Sequence, residues 1–266
     1  MDEHATEKPG RYRKKILILY FSGTGATKKV AELMKWQLSR TCAVDIFSID
    51  AAADLSLNDY GALVIGTPVY HAAPPSVVTN YFDGIAPLVK AVPALIYNTR
   101  GLAACNTNRI LARQLKEKNI ITVMDMAYRS PASDGSLIAP WVKRFFEFEP
   151  DLSRKVAEDC AEFLKRLQTR PLRGYIPRFQ VSSVLNAPNK LAGQFIRLKI
   201  HLHQERCEKC GKCVENCPMG AMSKDDSGRP ALAKSKCMNC YRCIHKCPGL
   251  ALSLSKRRPP GKVLKY

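Results

Sequence analysis

The stretch KKILILYFSGTGATKKVAELMKWQL, residues 14–38, decides the fold of the N-terminal part of the chain. Its continuous apolar run from Ile16 to Phe21 is typical of a strand buried on both faces, and a Ser/Gly/Thr loop ends that run. Apolar residues then recur at helical spacing and predict a helix with one buried face. These residues are Val30, Leu33, Met34 and Leu38. A buried strand, a glycine-rich loop and an amphipathic helix form the first half of a β–α–β unit.

The same pattern recurs along the first 169 residues. Apolar segments predict four further buried strands, at 43–49, 62–66, 93–97 and 120–126. Helical patterns lie around 76–83, at 106–118 and at 152–168. Strands that alternate with helices indicate a parallel, doubly wound sheet. On the last helix Cys160 falls on the apolar face with Val156 and Phe163, so we expect it to be a core residue.

The loop Ser22-Gly23-Thr24-Gly25-Ala26-Thr27 leaves the first strand and opens the first helix. Unpaired backbone N–H groups and the helix dipole favour a phosphate at such a position, and glycines allow its close approach. The loop has neither the Gly-Lys-Ser/Thr ending of a nucleotide-hydrolysing P-loop nor the G-x-G-x-x-G pattern of a dinucleotide site. A helix N-cap in a glycine-rich turn is the alternative interpretation.

This loop resembles the FMN-phosphate loop of flavodoxin, which has the form Ser/Thr-x-Thr-Gly-x-Thr. Ser22, Thr24, Gly25 and Thr27 occupy every fixed position. The resemblance implies a flavodoxin-like fold with FMN at the switch point between the first and third strands. It also implies contacts between the flavin and the loops after the third and fourth strands. The first of these loops holds Thr67, Pro68, Val69, Tyr70 and His71, and the second holds Asn98, Thr99, Arg100 and Gly101.

Tyr70 is the candidate ring for stacking on one face of the flavin, with plain surface packing as the alternative. The fourth-strand loop departs from the common flavodoxin pattern because it contains no aromatic residue. Either the stack is one-sided, or the second ring comes from Tyr128, Trp141 or the C-terminal part of the chain. We expect Cys105, near this loop, to be structural.

Two cysteine blocks, CEKCGKCVENCP (207–218) and CMNCYRCIHKCP (237–248), repeat one spacing with an offset of 30 residues. Cysteines at i, i+3 and i+6 bind three irons of one cubane cluster, and the cysteine before proline ligates the neighbouring cluster. The rule assigns one [4Fe–4S] cluster to Cys207, Cys210, Cys213 and Cys247. It assigns the other to Cys217, Cys237, Cys240 and Cys243. Two structural zinc sites are the alternative, although zinc requires neither the third cysteine nor the Cys–Pro step.

Residues 203–254 resemble bacterial two-cluster ferredoxin, and residues 14–254 resemble the flavodoxin–ferredoxin fusion proteins of anaerobic microbes. The resemblance implies a flavodoxin-like, five-stranded α/β domain at 14–169, followed by a small α+β two-cluster ferredoxin domain at 203–254. Three further segments are predicted: a flexible leader at 1–13, a basic connector at 170–202 and a basic, mobile tail at 255–266.

The net charge of +19 is concentrated in residues 170–266, which carry 20 Lys and Arg against five Asp and Glu. This asymmetry indicates an acidic partner, and an acidic protein electron carrier such as a ferredoxin or flavodoxin is the expected one. Nucleic acid binding has the charge in its favour but no recognised motif. Eleven cysteines in a chain without a signal peptide or an apolar run of membrane-spanning length predict cytoplasmic redox chemistry.

These features predict an electron-transfer protein that passes electrons between two [4Fe–4S] clusters and FMN and exchanges them with an external carrier. The alternative is an FMN-dependent oxidoreductase that reduces a small molecule, such as a quinone or a nitro compound, at the flavin. Flavodoxin-like folds support both uses, so the fold alone does not decide between them.

Overall fold

The computed structural model describes residues 14–52, 55–169, 171–181, 183, 199–257, 260 and 263–264. The predicted leader and residues 184–198 of the predicted connector lie outside these ranges. The N-terminal part contains a five-stranded sheet, and the C-terminal part contains two sheets of two strands. None of the helices in the described ranges has both the length and the apolar character that crossing a membrane requires.

The large sheet is parallel throughout, and its strand order is β2-β1-β3-β4-β5. Its strands are β1 (Ile16–Tyr20), β2 (Val44–Ser48), β3 (Ala62–Pro68), β4 (Val92–Arg100) and β5 (Ile120–Arg129). The order is that of flavodoxin-like doubly wound folds, so the predicted fold class is confirmed. The last three strands run past their predicted ends because polar residues continue the ladder: Thr67 pairs with Asn98, and Thr99 pairs with Tyr128.

Helices cover both faces of this sheet. They are α1 (Ala26–Leu38), α2 (Ser76–Gly84), α3 (Thr107–Glu117), the short α4 (Gly135–Ile138), which was not predicted, and α5 (Leu152–Gln168). Alternate residues of a strand face opposite sides. Ile16 and Ile18 therefore pack with α1 and α5, whereas Leu17 and Leu19 pack with α2 and α3. Each such buried side chain contributes about 1.5–3 kcal/mol. Cys160 is 3% exposed in the first of these clusters, which confirms it as a core residue.

The C-terminal part is built from two short antiparallel pairs and two single-turn helices. Its elements are β6 (His201–Leu202), α6 (Lys212–Glu215), β7 (Met222–Lys224), β8 (Pro230–Leu232), α7 (Arg242–His245) and β9 (Leu252–Ser253). Strand β6 pairs with β9, and β7 pairs with β8. A small apolar cluster around Met222, Tyr241 and Ile244 fills the interior. Leu137 of α4 packs against this cluster, so the N-terminal and C-terminal parts are in contact.

The described first half of the predicted connector lies on the outer strand of the large sheet. The Tyr175 backbone N–H donates to the carbonyl of Thr122 at 2.8 Å, and the Tyr175 hydroxyl donates to Asp125 at 2.6 Å. Arg109 on α3 donates to the carbonyl of Pro177 at 2.7 Å. This segment therefore covers part of the exposed edge of β5.

Part of the predicted mobile tail is also packed. Leu264 is 3% exposed, and its backbone N–H donates to Nδ1 of His245 at 3.1 Å. The sequence did not predict that Leu264 is packed, because a single apolar residue in a basic segment shows no periodicity.

Candidate cofactor sites

The loop of residues 22–27, called the anion loop below, leads into α1. Gly25 has a φ of 104°, in the left-handed region that glycine adopts without strain, and its N–H donates to Ser22 Oγ at 3.0 Å. Thr24 and Thr27 are 5% and 1% exposed. The first turn of α1 contains no acidic residue, so the positive end of the helix dipole is not neutralised within the helix.

This loop forms one wall of a partly open cleft of about 360 Å³ at the carboxyl edge of the sheet. Because predicted flavin-site residues line it, it is called the flavin cleft below. Predicted flavin-site residues that line the cleft are Ser22, Gly23, Thr24, Ala26, Thr27, Pro68, Val69, Tyr70, Thr99 and Gly101. The loop and the ends of β3 and β4 therefore converge on one site. Four predicted residues are not part of the cleft lining: Gly25, Thr67, Asn98 and Arg100.

Asn98 and Arg100 are separated from Thr99 because successive side chains of β4 face opposite sides of the sheet. Residues 98–100 were predicted to lie in a loop but belong to the strand itself. Successive side chains of a strand face opposite sides, so Asn98 and Arg100 point away when Thr99 faces the cleft. Asn98 donates to Asn108 of α3 at 3.0 Å, and Arg100 donates to the carbonyl of Leu102 at 2.5 Å.

Thr67 and Pro68 were also predicted to lie in a loop but are the last residues of β3. Thr67 is 0% exposed, and its hydroxyl donates to the carbonyl of Pro68 at 3.0 Å. Its side chain is therefore engaged within the strand, and Pro68 is the first residue of this segment to line the cleft.

The residues of the opposite wall were not predicted from the sequence. It consists of Ser130, Pro131, Ala132, Ser133 and Asp134, which follow β5 directly. A signal was present, because a Ser/Pro/Ser/Asp/Gly run marks a loop. Loops at the carboxyl ends of parallel strands form the binding crevice in this class of fold.

Tyr70 reaches across the cleft to the anion loop. A tight turn positions it: the backbone groups of Tyr70 and Ala73 are paired at 3.0 Å in both directions, while His71 and Ala72 adopt φ values of 48° and 63°. A β-carbon on Gly23 would collide with the Tyr70 hydroxyl, so only glycine permits this approach. Burial raises the pKa of the Tyr70 hydroxyl well above its ordinary value, and Cys240 adds to the increase. His71 itself is exposed outside the cleft lining.

The two named candidates for a second flavin-stacking ring lie elsewhere. Tyr128 is 0% exposed in the core beneath the sheet, and its hydroxyl donates to Asp159 at 2.6 Å. Trp141 is 77% exposed and does not line the cleft. Among the described residues that line the cleft, Tyr70 is the only aromatic one. Cys105 is 4% exposed and its thiol pKa is raised by burial, which fits the structural role expected of it.

The eight block cysteines gather into two separate groups of four. Cys207, Cys210, Cys213 and Cys247 line a cavity of about 420 Å³. Cys217, Cys237, Cys240 and Cys243 line another of about 340 Å³. The grouping crosses between the blocks, because each cavity is lined by the first three cysteines of one block and the last cysteine of the other. Among the described residues no group of three or more His, Cys, Asp or Glu side chains is arranged to hold a single metal ion.

The 30-residue repeat is present in the backbone as well as in the spacing. Positive φ values occur at matched pairs of positions: Lys209 and Asn239, Gly211 and Tyr241, Gly220 and Leu250. The last cysteine of each block accepts a hydrogen bond at 3.2 Å, from the N–H of Ala221 to Cys217 and from the N–H of Ala251 to Cys247. Backbone donors to sulfur are expected around iron–sulfur clusters, whose potentials they tune.

Both cavities have the donor chemistry for a cubane cluster. Each brings together four thiols, the number of cysteine ligands that a [4Fe–4S] cluster takes. Burial raises the pKa of Cys240 to about 11 and also raises that of Cys213. Buried thiols of this kind become thiolates when a metal binds them.

The second cysteine cavity adjoins the cleft. The carbonyl oxygen of Cys240 lies 3.5 Å from the position of a β-carbon on Gly23. Arg242, two residues further on, donates to the carbonyls of Ser22 and Gly23 at 2.8 and 3.2 Å. The anion loop is therefore in direct contact with the segment that carries Cys240 and Cys243.

The sheet order, the anion loop at the switch point and the two four-cysteine cavities define an electron-transfer protein with a flavodoxin-like part and an iron–sulfur part. The family comparisons agree. Residues 17–132 match the flavodoxin domain, and residues 206–251 match the 4Fe-4S dicluster domain. The chain therefore carries a flavodoxin domain and a 4Fe–4S dicluster domain, as the sequence predicts. The first implies FMN, and the second implies iron–sulfur clusters.

Several solved structures are similar to the N-terminal part. A flavodoxin from the domain Archaea is 17% identical over 57% of this chain and 99% of its own, with a TM-score of 0.39. Two-electron reduced flavodoxin of Megasphaera elsdenii is 17% identical over 54% and 98%, with a TM-score of 0.39. The apo form of an NADH:FMN oxidoreductase is 18% identical over 62% and 97%, with a TM-score of 0.43. No curated protein matches the chain in sequence.

Proposed function

We propose that the protein transfers electrons between two [4Fe–4S] clusters and one FMN, and exchanges them with an external protein carrier. One observation carries this proposal: the carbonyl of Cys240 lies against Gly23 of the anion loop, so a cluster site and the flavin cleft share a wall. FMN takes up electrons singly or in pairs, whereas each cluster carries one electron at a time. Joining both in one chain replaces a diffusional encounter with an intramolecular one.

The first group, Cys207, Cys210, Cys213 and Cys247, would ligate one cluster. The second group, Cys217, Cys237, Cys240 and Cys243, would ligate the other. The FMN phosphate would accept hydrogen bonds from the backbone of residues 22–27 and from the Thr24 and Thr27 hydroxyls, with Tyr70 beside the ring system. The proposed domains are residues 14–169 and 203–254, joined by the connector at 170–202.

The exposure of the two cysteine groups suggests an order of transfer. Cys210 of the first group is exposed, whereas Cys240 and Cys243 of the second group are 8% and 9% exposed. The first group would therefore face the external carrier, and the second would face the flavin cleft. None of the eleven cysteines, all of which lie in the described ranges, forms a disulfide bond. Since this is typical of a reducing compartment, we assign the protein to the cytoplasm.

An acidic protein carrier, such as a ferredoxin or flavodoxin, is the proposed partner. All five Asp and Glu residues of 170–266 fall between Glu205 and Asp226. Residues 227–266 contain ten Lys and Arg and no acidic residue. A surface of one charge sign increases the association rate of a partner of opposite charge.

A small-molecule oxidoreductase is the second candidate. It is favoured by the partly open cleft of about 360 Å³, whose far wall, Ser130–Asp134, offers hydroxyl and carboxylate groups to a ligand. In that case the clusters would supply electrons for a reaction at the flavin. A pocket closed over the flavin would suit this role better than an open cleft beside the iron–sulfur domain does.

Anaerobic purification with iron, sulfide and FMN analysis tests the proposal. Two clusters and one flavin require about eight irons, eight sulfides and one FMN per chain. Mixing the reduced protein with oxidised ferredoxin or flavodoxin, and separately with quinones and nitro compounds, then distinguishes the two candidates. Fast oxidation by the protein carriers alone supports electron transfer. Saturable turnover with one class of small molecule, with slow protein oxidation, would favour the oxidoreductase.

A further inference from the structure

The single-turn helix α7 of the iron–sulfur domain holds both walls of the flavin cleft. Its first residue, Arg242, has a side chain that is only 13% exposed. Nη2 donates to the carbonyl of Ser22 at 2.8 Å, and Nε donates to the carbonyl of Gly23 at 3.2 Å. Nη1 pairs with Asp50 at 2.8 Å, and the guanidinium lies 5.0 Å from the centre of the Phe21 ring.

These contacts bear on the direction of the N–H groups in the anion loop. In a trans peptide the C=O and the N–H of the following residue point in opposite directions. With the Ser22 and Gly23 carbonyls bound by Arg242, the N–H groups of Gly23 and Thr24 must point away from the guanidinium. Ser22, Gly23 and Thr24 line the cleft, and Arg242 does not. The two N–H groups are therefore directed to the side on which an anion would bind.

His245, at the other end of α7, holds the opposite wall. Its Nδ1 accepts the N–H of Leu264 at 3.1 Å, so the proton of the neutral ring is on Nε2. Nε2 lies 2.9 Å from the carbonyl of Ser133 and donates to it. One helix turn, which also carries Cys243, thus binds both sides of the cleft.

We propose that Arg242 is a positioning residue for the flavin phosphate: the iron–sulfur domain fixes the anion loop in its binding conformation. This inference rests on the proposed function, because it assumes FMN in the cleft. It assigns to the dicluster domain a structural part in flavin binding, in addition to its electron transfer. A folded dicluster domain would consequently raise the affinity of the flavodoxin domain for FMN.

The test compares FMN with riboflavin, which has the same ring system but no phosphate. The flavin is removed from the full-length protein with its clusters intact, and both ligands are titrated by fluorescence quenching. Arg242→Met should weaken FMN binding about tenfold or more and change riboflavin binding less than about twofold, since hydrogen bonds to charged groups are the strong ones. Iron content and the visible iron–sulfur spectrum check that the variant is folded.

Arg109→Met is the matched control. Arg109, on α3, also donates to a backbone carbonyl, that of Pro177 at 2.7 Å, and it does not line the cleft. The Arg109→Met variant loses the same charge and should leave both flavin affinities unchanged. Arg242→Lys keeps the charge but lacks the fork that spans two carbonyls, so it should remain several-fold weaker than the wild type for FMN.

Equal losses for FMN and riboflavin in Arg242→Met, or no loss for either, would overturn the positioning role. Full recovery of FMN affinity in Arg242→Lys would also overturn it, because charge alone would then explain the effect. Failure of the wild-type protein to bind FMN is a different result. That result would refute the proposed function, and FMN binding by the wild-type protein is therefore measured before that of any variant.

Discussion

The hydroxyls of Thr27 and Thr99 lie 2.7 Å apart, although 72 residues separate them in the chain. This hydrogen bond connects the first turn of α1 to the end of β4, and both residues line the flavin cleft. Of the two hydroxyls, one donates and the other accepts. If Thr27 accepts from Thr99, its own proton is free to be donated to an anion in the loop.

The first prediction concerns these hydroxyls. Thr24→Val and Thr27→Val should each weaken FMN binding by about 1–3 kcal/mol, the range for losing a hydrogen bond to a charged group. Thr99→Val should have a smaller effect, because it removes only the partner of Thr27. Titration of the flavin-free protein with FMN measures all three.

Thr122→Val is the control for these threonine variants. Thr122 is 3% exposed on β5, and its hydroxyl has no hydrogen-bond partner among the described residues. Its replacement should leave FMN binding unchanged. If Thr24→Val and Thr27→Val bind FMN as tightly as this control, the two hydroxyls do not hold the phosphate.

The second prediction concerns the close approach at Gly23. Gly23→Ala would drive a methyl group into the Tyr70 hydroxyl and toward the carbonyl of Cys240, 3.5 Å away. Forced overpacking costs about 1–3 kcal/mol, and here it would separate the anion loop from Tyr70. FMN affinity should fall, and the added change Tyr70→Phe should restore part of it, because the two sites are coupled.

Gly84→Ala provides the matched comparison for the glycine variant. Gly84 ends α2, and a β-carbon there would meet nothing within 4 Å. This variant should bind FMN normally. An unaltered FMN affinity in Gly23→Ala as well would mean that Tyr70 moves away from the loop without cost.

The parts of the fold that the sequence predicted well are those with a periodic apolar signal. The five strands and the longer helices of the flavodoxin domain have this signal, and their order follows from the alternation of strands and helices. The strand ends were wrong because Asn98 and Thr99 are polar and yet belong to the ladder of β4. A strand prediction based on hydropathy stops at the first polar residue, whereas the hydrogen-bonded ladder continues through such residues.

The cleft was predicted on one side only. The anion loop has a sequence pattern of its own, so its residues could be named in advance. The wall at Ser130–Asp134 has only the composition of a loop. The hydrogen bonds of Arg242 and His245 to the two walls join residues that are 219 and 112 positions apart in the chain. The sequence motifs do not predict these pairs, because the cysteine spacing leaves the residue types at positions 242 and 245 open and does not specify which distant residues they contact. The two ligand groups of cysteines could be proposed from the sequence because cluster chemistry fixes the cysteine spacing, and this assignment stays a prediction.

The third prediction tests the crossed grouping of the cysteines. Cys217→Ala should damage the cluster of Cys237, Cys240 and Cys243, although Cys217 belongs to the first block in sequence. Cys247→Ala should damage the cluster of Cys207, Cys210 and Cys213. Paramagnetic resonance of the reduced proteins, together with iron analysis, distinguishes the two clusters. Loss of the first-block cluster in Cys217→Ala would show that each block ligates its own cluster.

The fourth prediction concerns the acidic carrier. Lys199, Arg206 and Lys256 are exposed and lie close in sequence to the paired strands β6 and β9, whose residues Leu202 and Leu252 line the first cysteine cavity. Arg197, in the same basic stretch, lies outside the described residues. Reduction by an acidic ferredoxin should slow steeply as salt rises past about 0.1 M, where the screening length is roughly 10 Å. Changing the three residues to Gln should slow the encounter several-fold at low salt.

The matched control for this variant changes Lys90, Arg113 and Lys116 to Gln. These three residues are exposed on the flavodoxin domain, away from the cysteine cavities, so the variant has the same net charge with the charge removed elsewhere. It should react with the carrier at nearly the wild-type rate. Transfer between clusters and flavin within the chain should be equal in both variants, because it involves no encounter. A reduction rate that is insensitive to salt and equal in all three proteins would point to a small-molecule donor, and would favour the oxidoreductase over the electron carrier.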